Sequence, residues 1–143
     1  FVMTRRQAVD FAMASLTAME GGEIFVPRLP SARLKDLAEA TVKSVRDGGP
    51  IRPTNVNIIG ERPGGEKRHE TLIAHEEAAR TRRQGDVMTI YPSLSTWRKD
   101  FTPPLDAAKI DGPYTSDRPD RWVSVEELVT MLAEPIEDNR NEG

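Results

Sequence analysis

Glycine and proline interrupt this sequence so often that few stretches are long enough for a regular helix. The chain has 11 Pro and 10 Gly in 143 residues. Proline lacks an amide hydrogen and glycine favours turn conformations, so both residue types end helices and strands. The main breaks fall at Gly21-Gly22, Pro27 to Pro30, Gly48-Gly49-Pro50, Gly64-Gly65, Pro103-Pro104 and Gly112-Pro113. This spacing predicts a loop-rich fold of short elements and argues against a helical bundle.

Two capping boxes mark the clearest helix starts. Thr4 with Gln7, and Ser124 with Glu127, place two side chains where each can bond the other residue's backbone amide. A further helix is expected over residues 35–46. Apolar residues behind the first capping box recur at helical spacing and form one face: Val9, Ala12, Met13, Leu16 and Met19.

The strands predicted between these helices are few and short. We expect strands at residues 23–26, 56–59 and 87–91, an extended segment at 71–74, and a helical turn at 76–83. Residues 92–121 are expected to be irregular. This order predicts the α/β class, as a small mixed α/β lobe that needs a neighbour to cover it. We place the domain at residues 1–135 and a polar tail at 136–143.

Size, charge and composition exclude several classes of protein. One domain fits 143 residues. The net charge of −3 gives no electrostatic case for nucleic acid, and the apolar stretches are too short to cross a membrane. The absence of cysteine fits a reducing compartment, so we expect a cytoplasmic protein. Because the sequence opens on Phe1-Val2 without an initiator Met, we expect it to be part of a longer protein.

The residues needed for familiar catalytic sites are missing from the sequence. No glycine-rich dinucleotide motif follows a strand, and neither tyrosine has a lysine four positions later, since Tyr91 leads to Ser95 and Tyr114 to Arg118. His69 and His75 are six residues apart, which does not suit a helical zinc site, so no metal is expected. The chain alone therefore carries no complete catalytic apparatus, and we assign no catalytic residue.

The segment from Arg62 to Lys67 has the most specific chemistry. Arg62 offers a planar fork suited to a pyrophosphate, Gly64-Gly65 allow the backbone to come close to a ligand, and Glu66 can accept hydrogen bonds from a ribose diol. On local chemistry alone, an ordinary charged turn remains the alternative.

Phrases spread along the chain resemble a known family. They are Phe1-Val2-Met3-Thr4, Gly21-Gly22-Glu23-Ile24-Phe25-Val26-Pro27, Asp36-Leu37-Ala38-Glu39-Ala40, Ile59-Gly60-Glu61-Arg62-Pro63-Gly64-Gly65-Glu66-Lys67, Tyr114-Thr115-Ser116-Asp117 and Trp122 to Leu128. In this order they resemble the carboxy-terminal part of inverting UDP-N-acetylglucosamine 4,6-dehydratases. Those enzymes are polysaccharide-biosynthesis members of the extended short-chain dehydrogenase/reductase superfamily.

The resemblance implies a UDP-sugar substrate and an enzyme whose two halves have different roles. An amino-terminal Rossmann half, which this chain lacks, would hold NADP and the catalytic residues. The carboxy-terminal half, to which this chain corresponds, would bind the nucleotide. By the same resemblance, Arg62 binds the diphosphate and Glu66 reaches the ribose or uracil. Pro27 and Arg28 lie near the base and are weaker candidates. The expected partners are the Rossmann half and, in the assembled enzyme, further copies of the same chain.

The sequence departs from the family pattern at the site itself. The usual phrase has one glycine where this chain has Gly64-Gly65, and a leucine where it has Arg68. The extra glycine shifts Glu66 by one position relative to the family pattern. Other hypotheses stay open. The chain could be a stand-alone nucleotide-sugar-binding or interaction module, or the same lobe from a UDP-sugar epimerase or reductase.

Overall fold

The computed structural model describes residues 1–48, 56–60, 64–93 and 107–134. Within them, ten helices and strands follow one another. Their order is α1 (Arg5–Ala18), β1 (Ile24–Pro27), α2 (Leu34–Gly48), β2 (Thr71–Ile73), α3 (His75–Ala78), β3 (Thr81–Gln84), β4 (Val87–Ile90), β5 (Ala108–Lys109), β6 (Tyr114–Thr115) and α4 (Val125–Leu132). This is the mixed α/β architecture with small sheets that the sequence predicts.

The larger sheet has four antiparallel strands in the order β1-β4-β3-β5. Its central hairpin joins β3 to β4 through two residues, Gly85 and Asp86. Gly85 has a φ of +60° and Asp86 has a negative φ, which is the pattern of a type II′ turn and matches the twist of the paired strands. The turn places Asp86 beside the residue that follows β1.

The smaller sheet pairs β2 with β6, and its strands complete a core shared with the larger sheet. The buried side chains of this first core are Val26, Ile73, Met88, Ile90 and Tyr114. They come from both sheets, so burial of these side chains holds the sheets together.

A second core lies between the helices α2 and α4. Ala40, Val123 and Leu128 are buried there. Both predicted capping boxes form: the Ser124 hydroxyl accepts from the Glu127 amide at 3.2 Å, and the Glu127 carboxylate accepts from the Ser124 amide at 2.8 Å. The cap fixes the start of α4. This determines which side of the helix faces α2, and Leu128 lies on that side.

Helix α1 begins at its predicted capping box and buries none of its residues. The Thr4 hydroxyl accepts from the Gln7 amide at 3.2 Å, and the Gln7 side chain accepts from the Thr4 amide at 2.8 Å. The predicted apolar face is present, and its large side chains are exposed.

Three local predictions were wrong. Residues 56–59 are not a strand; none of the described strands pairs with them, and Ile58 is 94 % exposed. Residues 76–83 are helical only as far as Ala78, because the fully buried Thr81 bonds back to the Glu77 carbonyl at 2.8 Å and begins β3. The described part of residues 92–121 contains β5 and β6, whose partners are distant in sequence.

The second core is small, so it is expected to be sensitive to truncation. Replacing Leu128, which is 2 % exposed, with alanine removes buried methyl groups and leaves a cavity. We expect the Leu128→Ala variant to lose about 2–5 kcal/mol of unfolding free energy in urea titrations. The matched control is Leu34→Ala at an 82 % exposed position, for which we expect a change within about 0.5 kcal/mol. Equal losses in both variants would contradict the assignment of Leu128 to the core.

Candidate functional site

The predicted site residues fall on two segments, residues 27–28 and residues 62–66. Pro27 ends β1 and Arg28 follows it. Arg62 lies outside the described residues. Glu66 is described and exposed, next to Gly64-Gly65.

Arg28 is held in place by two carboxylates from distant parts of the chain. Its Nε donates to Asp120 Oδ2 at 2.9 Å, and its Nη1 donates to Asp86 Oδ1 at 3.2 Å. Its backbone amide also donates to the Asp86 carbonyl at 2.9 Å. The side chain is 26 % exposed, and the hydrogen bond to Asp120 raises the pKa of Arg28 above its ordinary value.

These contacts change the chemistry available to Arg28. Two carboxylates beside one guanidinium leave a local charge of −1, which disfavours an approaching diphosphate. The arrangement instead ties the end of β1 to the β3–β4 turn and to the segment around Asp120. The structure thus gives Arg28 a tethering role that the sequence did not predict.

Tyr114 forms a second contact with the segment that follows β1. Its hydroxyl donates to the Leu29 carbonyl at 2.8 Å and accepts from the Leu29 amide at 2.8 Å. The Phe1 ring lies 4.8 Å from the tyrosine ring, centroid to centroid. Burial raises the pKa of Tyr114, although the bond with the Leu29 backbone opposes that shift.

Ser31 connects the same segment to residues 121–123. Its amide donates to the Arg121 carbonyl at 3.0 Å, and its carbonyl accepts from the Val123 amide at 2.9 Å. Beside it, the Arg33 guanidinium lies 5.0 Å from the centre of the Trp122 ring. Residues 28–31 are therefore bonded to residues 114–123 at three successive points. We call residues 114–123 the strap.

The glycine loop of residues 64–70 is anchored to the same strap. The Glu70 amide donates to Ser116 Oγ at 2.8 Å, and the Ser116 amide donates to the Glu70 carbonyl at 2.8 Å. A hydrogen bond from the Thr115 side chain lowers the pKa of Asp117. The strap thereby joins both of the segments that carry the predicted site residues.

Gly64 and Gly65 have φ angles of +116° and +84°. Side chains other than glycine rarely adopt these conformations. A Cβ added at either position would meet no atom within 4 Å, so the loop requires glycine for its backbone path and not for lack of space.

The structural roles of Tyr114, Ser116 and Asp120 in this region were not predicted from the sequence. The phrase that contains Tyr114 and Ser116 contributed to the resemblance, but nothing local assigned either residue a partner. Arg28 and Asp120 are 92 residues apart, and a single sequence gives no signal for such a pair. The one local cue was the position of Tyr114 directly after the Gly112-Pro113 break. If a tyrosine at such a position is buried, its hydroxyl needs a hydrogen-bond partner.

Comparisons with known proteins identify the family of this chain. Residues 1–92 match the family described as polysaccharide biosynthesis protein. A UDP-N-acetylglucosamine 4,6-dehydratase (inverting) from Campylobacter jejuni serotype O:2 is 30 % identical over 92 % of this chain and 39 % of its own length. An uncharacterized membrane protein from Methanocaldococcus jannaschii is 35 % identical over 64 % of this chain and 28 % of its own.

A solved structure agrees as well. The X-ray structure of Pen from Bacillus thuringiensis superposes with a TM-score of 0.71 at 28 % identity, covering 92 % of this chain and 37 % of that one. The chain therefore belongs to the polysaccharide biosynthesis protein family, as a part related to nucleotide-sugar dehydratases. It spans less than two fifths of the length of the relatives described above.

The described residues do not fit a dinucleotide cofactor. In a dinucleotide site, a strand leads through a glycine-rich turn into a helix. Here β1 leads into α2 through residues 28–33, and β2 leads into α3 through Ala74, and neither connection contains glycine. In the part of the chain that the structure describes, no three acidic or histidine side chains gather as metal ligands. No helix in that part is both long enough and apolar enough to span a membrane.

The reciprocal bonds between Tyr114 and Leu29 should contribute measurably to stability. Replacing Tyr114 with phenylalanine leaves the Leu29 amide and carbonyl without this partner, so we expect Tyr114→Phe to lose about 1–3 kcal/mol of unfolding free energy in urea. Tyr91→Phe is the control, because the Tyr91 hydroxyl bonds to the Thr89 side chain. A loss in the control equal to that in Tyr114→Phe would contradict a special role for the Leu29 contact.

The same hydroxyl predicts a pH dependence. Folding raises the pKa of Tyr114 above its ordinary value of 10.0, so the folded state holds this proton to higher pH than the unfolded state does. Stability should therefore fall as the pH rises above about 10. Unfolding free energies measured from about pH 9 to about pH 11 should fall more steeply for the wild type than for Tyr114→Phe. Parallel curves for the two proteins would exclude this contribution.

Proposed function

We propose that this chain is the carboxy-terminal, UDP-sugar-binding part of an inverting UDP-N-acetylglucosamine 4,6-dehydratase of surface-polysaccharide biosynthesis. The observation that carries the proposal is the glycine turn of residues 64–65. Its backbone follows a path that requires glycine, beside open space and next to an exposed acidic residue. The dehydratase relatives, similar over 92 % of this chain, supply the substrate class.

Arg62 is the proposed ligand of the diphosphate. It directly precedes the proline and glycines of the turn, and its guanidinium can form two parallel bonds to phosphate oxygens. We prefer it to Arg28 because the Asp86 and Asp120 carboxylates already neutralise that guanidinium. Arg28 and Pro27 contribute by fixing the path of residues 27–31 near the nucleotide.

Glu66 is the proposed partner of the ribose or uracil. It is exposed and follows Gly65 directly, so its carboxylate can accept hydrogen bonds from a diol or an N–H group that reaches the turn. The strap holds the far end of this loop through Ser116, which limits the conformations that Glu66 can sample before a ligand binds. A loop held in this way loses less entropy on binding.

In the proposed reaction, this chain binds the substrate and takes no part in the bond-breaking steps. The family reaction oxidises C4 of the sugar, removes water across C5 and C6, returns the hydride to C6 and inverts C5. NADP, bound by a separate Rossmann domain, would supply the hydride chemistry. This chain's residues bind the UDP moiety and orient the sugar towards that domain. We accordingly propose that the chain alone, in the cytoplasm or in vitro, converts no substrate, and that the complete enzyme assembles as a homo-oligomer.

Calorimetric titration of the isolated chain tests the binding role. We expect weak, saturable binding of UDP and UDP-N-acetylglucosamine and no binding of free N-acetylglucosamine, because the proposed contacts are to the nucleotide. The Arg62→Ala variant should lose at least about tenfold in affinity, as expected for a charge-assisted bond. Arg83→Ala, at an exposed position on β3, is the matched control and should bind like the wild type. Binding of free N-acetylglucosamine as tight as that of UDP, or equal affinity of both variants, would contradict the assignment.

A further inference from the structure

Two basic side chains lie directly opposite each other at one edge of the larger sheet. Arg82 of β3 pairs with Lys109 of β5 in the antiparallel register. Opposed residues of such a pair point to the same face of the sheet, with Cβ atoms about 4.5–5.5 Å apart. Like charges at this spacing repel each other and weaken the pairing of their strands. A negative partner on this face would offset that repulsion.

These two cations differ from most of the charged residues around them. The described basic residues that form ion pairs with carboxylates are Arg6, Arg28, Lys43, Arg80 and Arg121. In the part of the chain that the structure describes, no such pair includes Arg82 or Lys109. The chain as a whole has a net charge of −3, so two cations without an acidic partner are a local feature of this edge.

Arg82 is held in place by backbone carbonyls. Its Nη1 donates to the Thr81 carbonyl at 2.8 Å and to the Ala79 carbonyl at 3.1 Å. A guanidinium that is already fixed loses less conformational entropy when an anion approaches it. Lys109 is exposed, so its ammonium group can move to meet a carboxylate.

The backbone of β5 offers hydrogen bonds at the same place. The Tyr91 amide donates to the Arg80 carbonyl across β3 and β4. Bonds along an antiparallel strand point to its two neighbours alternately, so Arg83, three positions after Arg80, bonds on the β5 side with its partner Ala108. Lys109 follows Ala108, and its amide and carbonyl therefore point away from β3.

The side of β5 that they face is an edge. β5 ends the sheet order β1-β4-β3-β5, so this side is unpaired among the described strands. A lysine on an edge strand deters pairing with most other strands. A strand that carries a carboxylate opposite Lys109 meets no such obstacle, because the two charges attract. The edge therefore discriminates between added strands by their charge.

We propose that the free edge of β5 is a docking site for an extended acidic peptide of a partner protein, which adds as a fifth antiparallel strand. The residue opposite Lys109 exchanges two backbone hydrogen bonds with it, as in other cases of strand addition. Acidic side chains at alternate positions of the peptide share one face. There they pair with Lys109 and offset its repulsion from Arg82. The site uses none of the proposed nucleotide ligands, so the inference does not depend on the proposed function.

A second copy of this chain fits this edge less well. Two β5 edges related by a two-fold axis would present the same residues to each other. Lys109 of each copy would lie near Lys109 of the other, which adds a like-charge contact to the one already present. Charge complementarity therefore favours an acidic partner over self-association.

The test uses a blocked seven-residue peptide of alternating threonine and glutamate, titrated into the chain and followed by NMR. We expect saturable binding and at least about tenfold slower hydrogen exchange at the Lys109 amide, because strand pairing sequesters that amide. Two control peptides separate charge from pairing. The first has lysine in place of glutamate. The second keeps each glutamate and methylates its backbone nitrogen, which removes the hydrogens that bond to β5. Neither control should bind measurably.

Charge reversal in the chain provides the complementary test. Lys109→Glu should lower the affinity for the glutamate peptide at least about fivefold at low salt, and should raise the affinity for the lysine peptide. Arg83→Glu makes the same change one residue from Arg82 on the opposite face of the sheet, and should alter the affinity less than about twofold. Lys109→Glu places opposite charges beside each other in the β3–β5 pair, so its midpoint of urea unfolding should not fall. A loss of binding in this variant is thereby distinguished from unfolding.

Three results would overturn the proposal. The first is equal affinity for the glutamate and lysine peptides. The second is binding of the methylated peptide as tight as that of the unmodified one, which would show attraction between charges without an added strand. The third is binding to vesicles that contain phosphatidylserine, lost in Lys109→Glu, by a chain that binds no peptide, which would assign the cations to a membrane surface. UDP titration of Lys109→Glu should match the wild type, so failure of either proposal leaves the other standing.

Discussion

The reciprocal hydrogen bonds between Tyr114 and Leu29 are the contact on which the arrangement of the site depends. They join β6 to the segment that follows β1, across 85 residues of sequence. Because the Tyr114 ring also belongs to the first core, one side chain contributes to packing and fixes the course of a loop. The Arg28–Asp120 and Ser31–Val123 contacts extend the same connection along the strap.

This connection explains how two short and separate segments can belong to one site. The last residue of the glycine loop, Glu70, bonds to Ser116 on the strap. Residues 28–31 bond to the same strap from the other side. Both segments thus hold their positions through a third segment that carries none of the proposed ligands, as is common where loops are positioned by a rigid scaffold.

Local chemistry made some of these elements predictable. The capping boxes at Thr4 and Ser124 located the starts of α1 and α4, because the bonds that cap a helix involve residues only three positions apart. The short β-prone run at residues 87–91 located β4. The strap could not be predicted in this way, since its bonds to residues 28–31 and to Glu70 join residues far apart in sequence and its one strand, β6, contains only two residues. Residues 56–59 were predicted to be a strand and are not one, because an apolar run does not form a strand without a neighbour to pair with.

The position of the strap in the sequence has a consequence for synthesis of the protein. The ribosome completes β1 long before it makes Tyr114, which lies 85 residues after Leu29. At about 5–20 residues per second, residues 28–31 wait roughly 4–17 s for their partners. During that interval Val26 of β1 lacks the Tyr114 ring, which belongs to the same core. Apolar surface that is exposed in this transient way makes a nascent chain prone to aggregation until the strap is made.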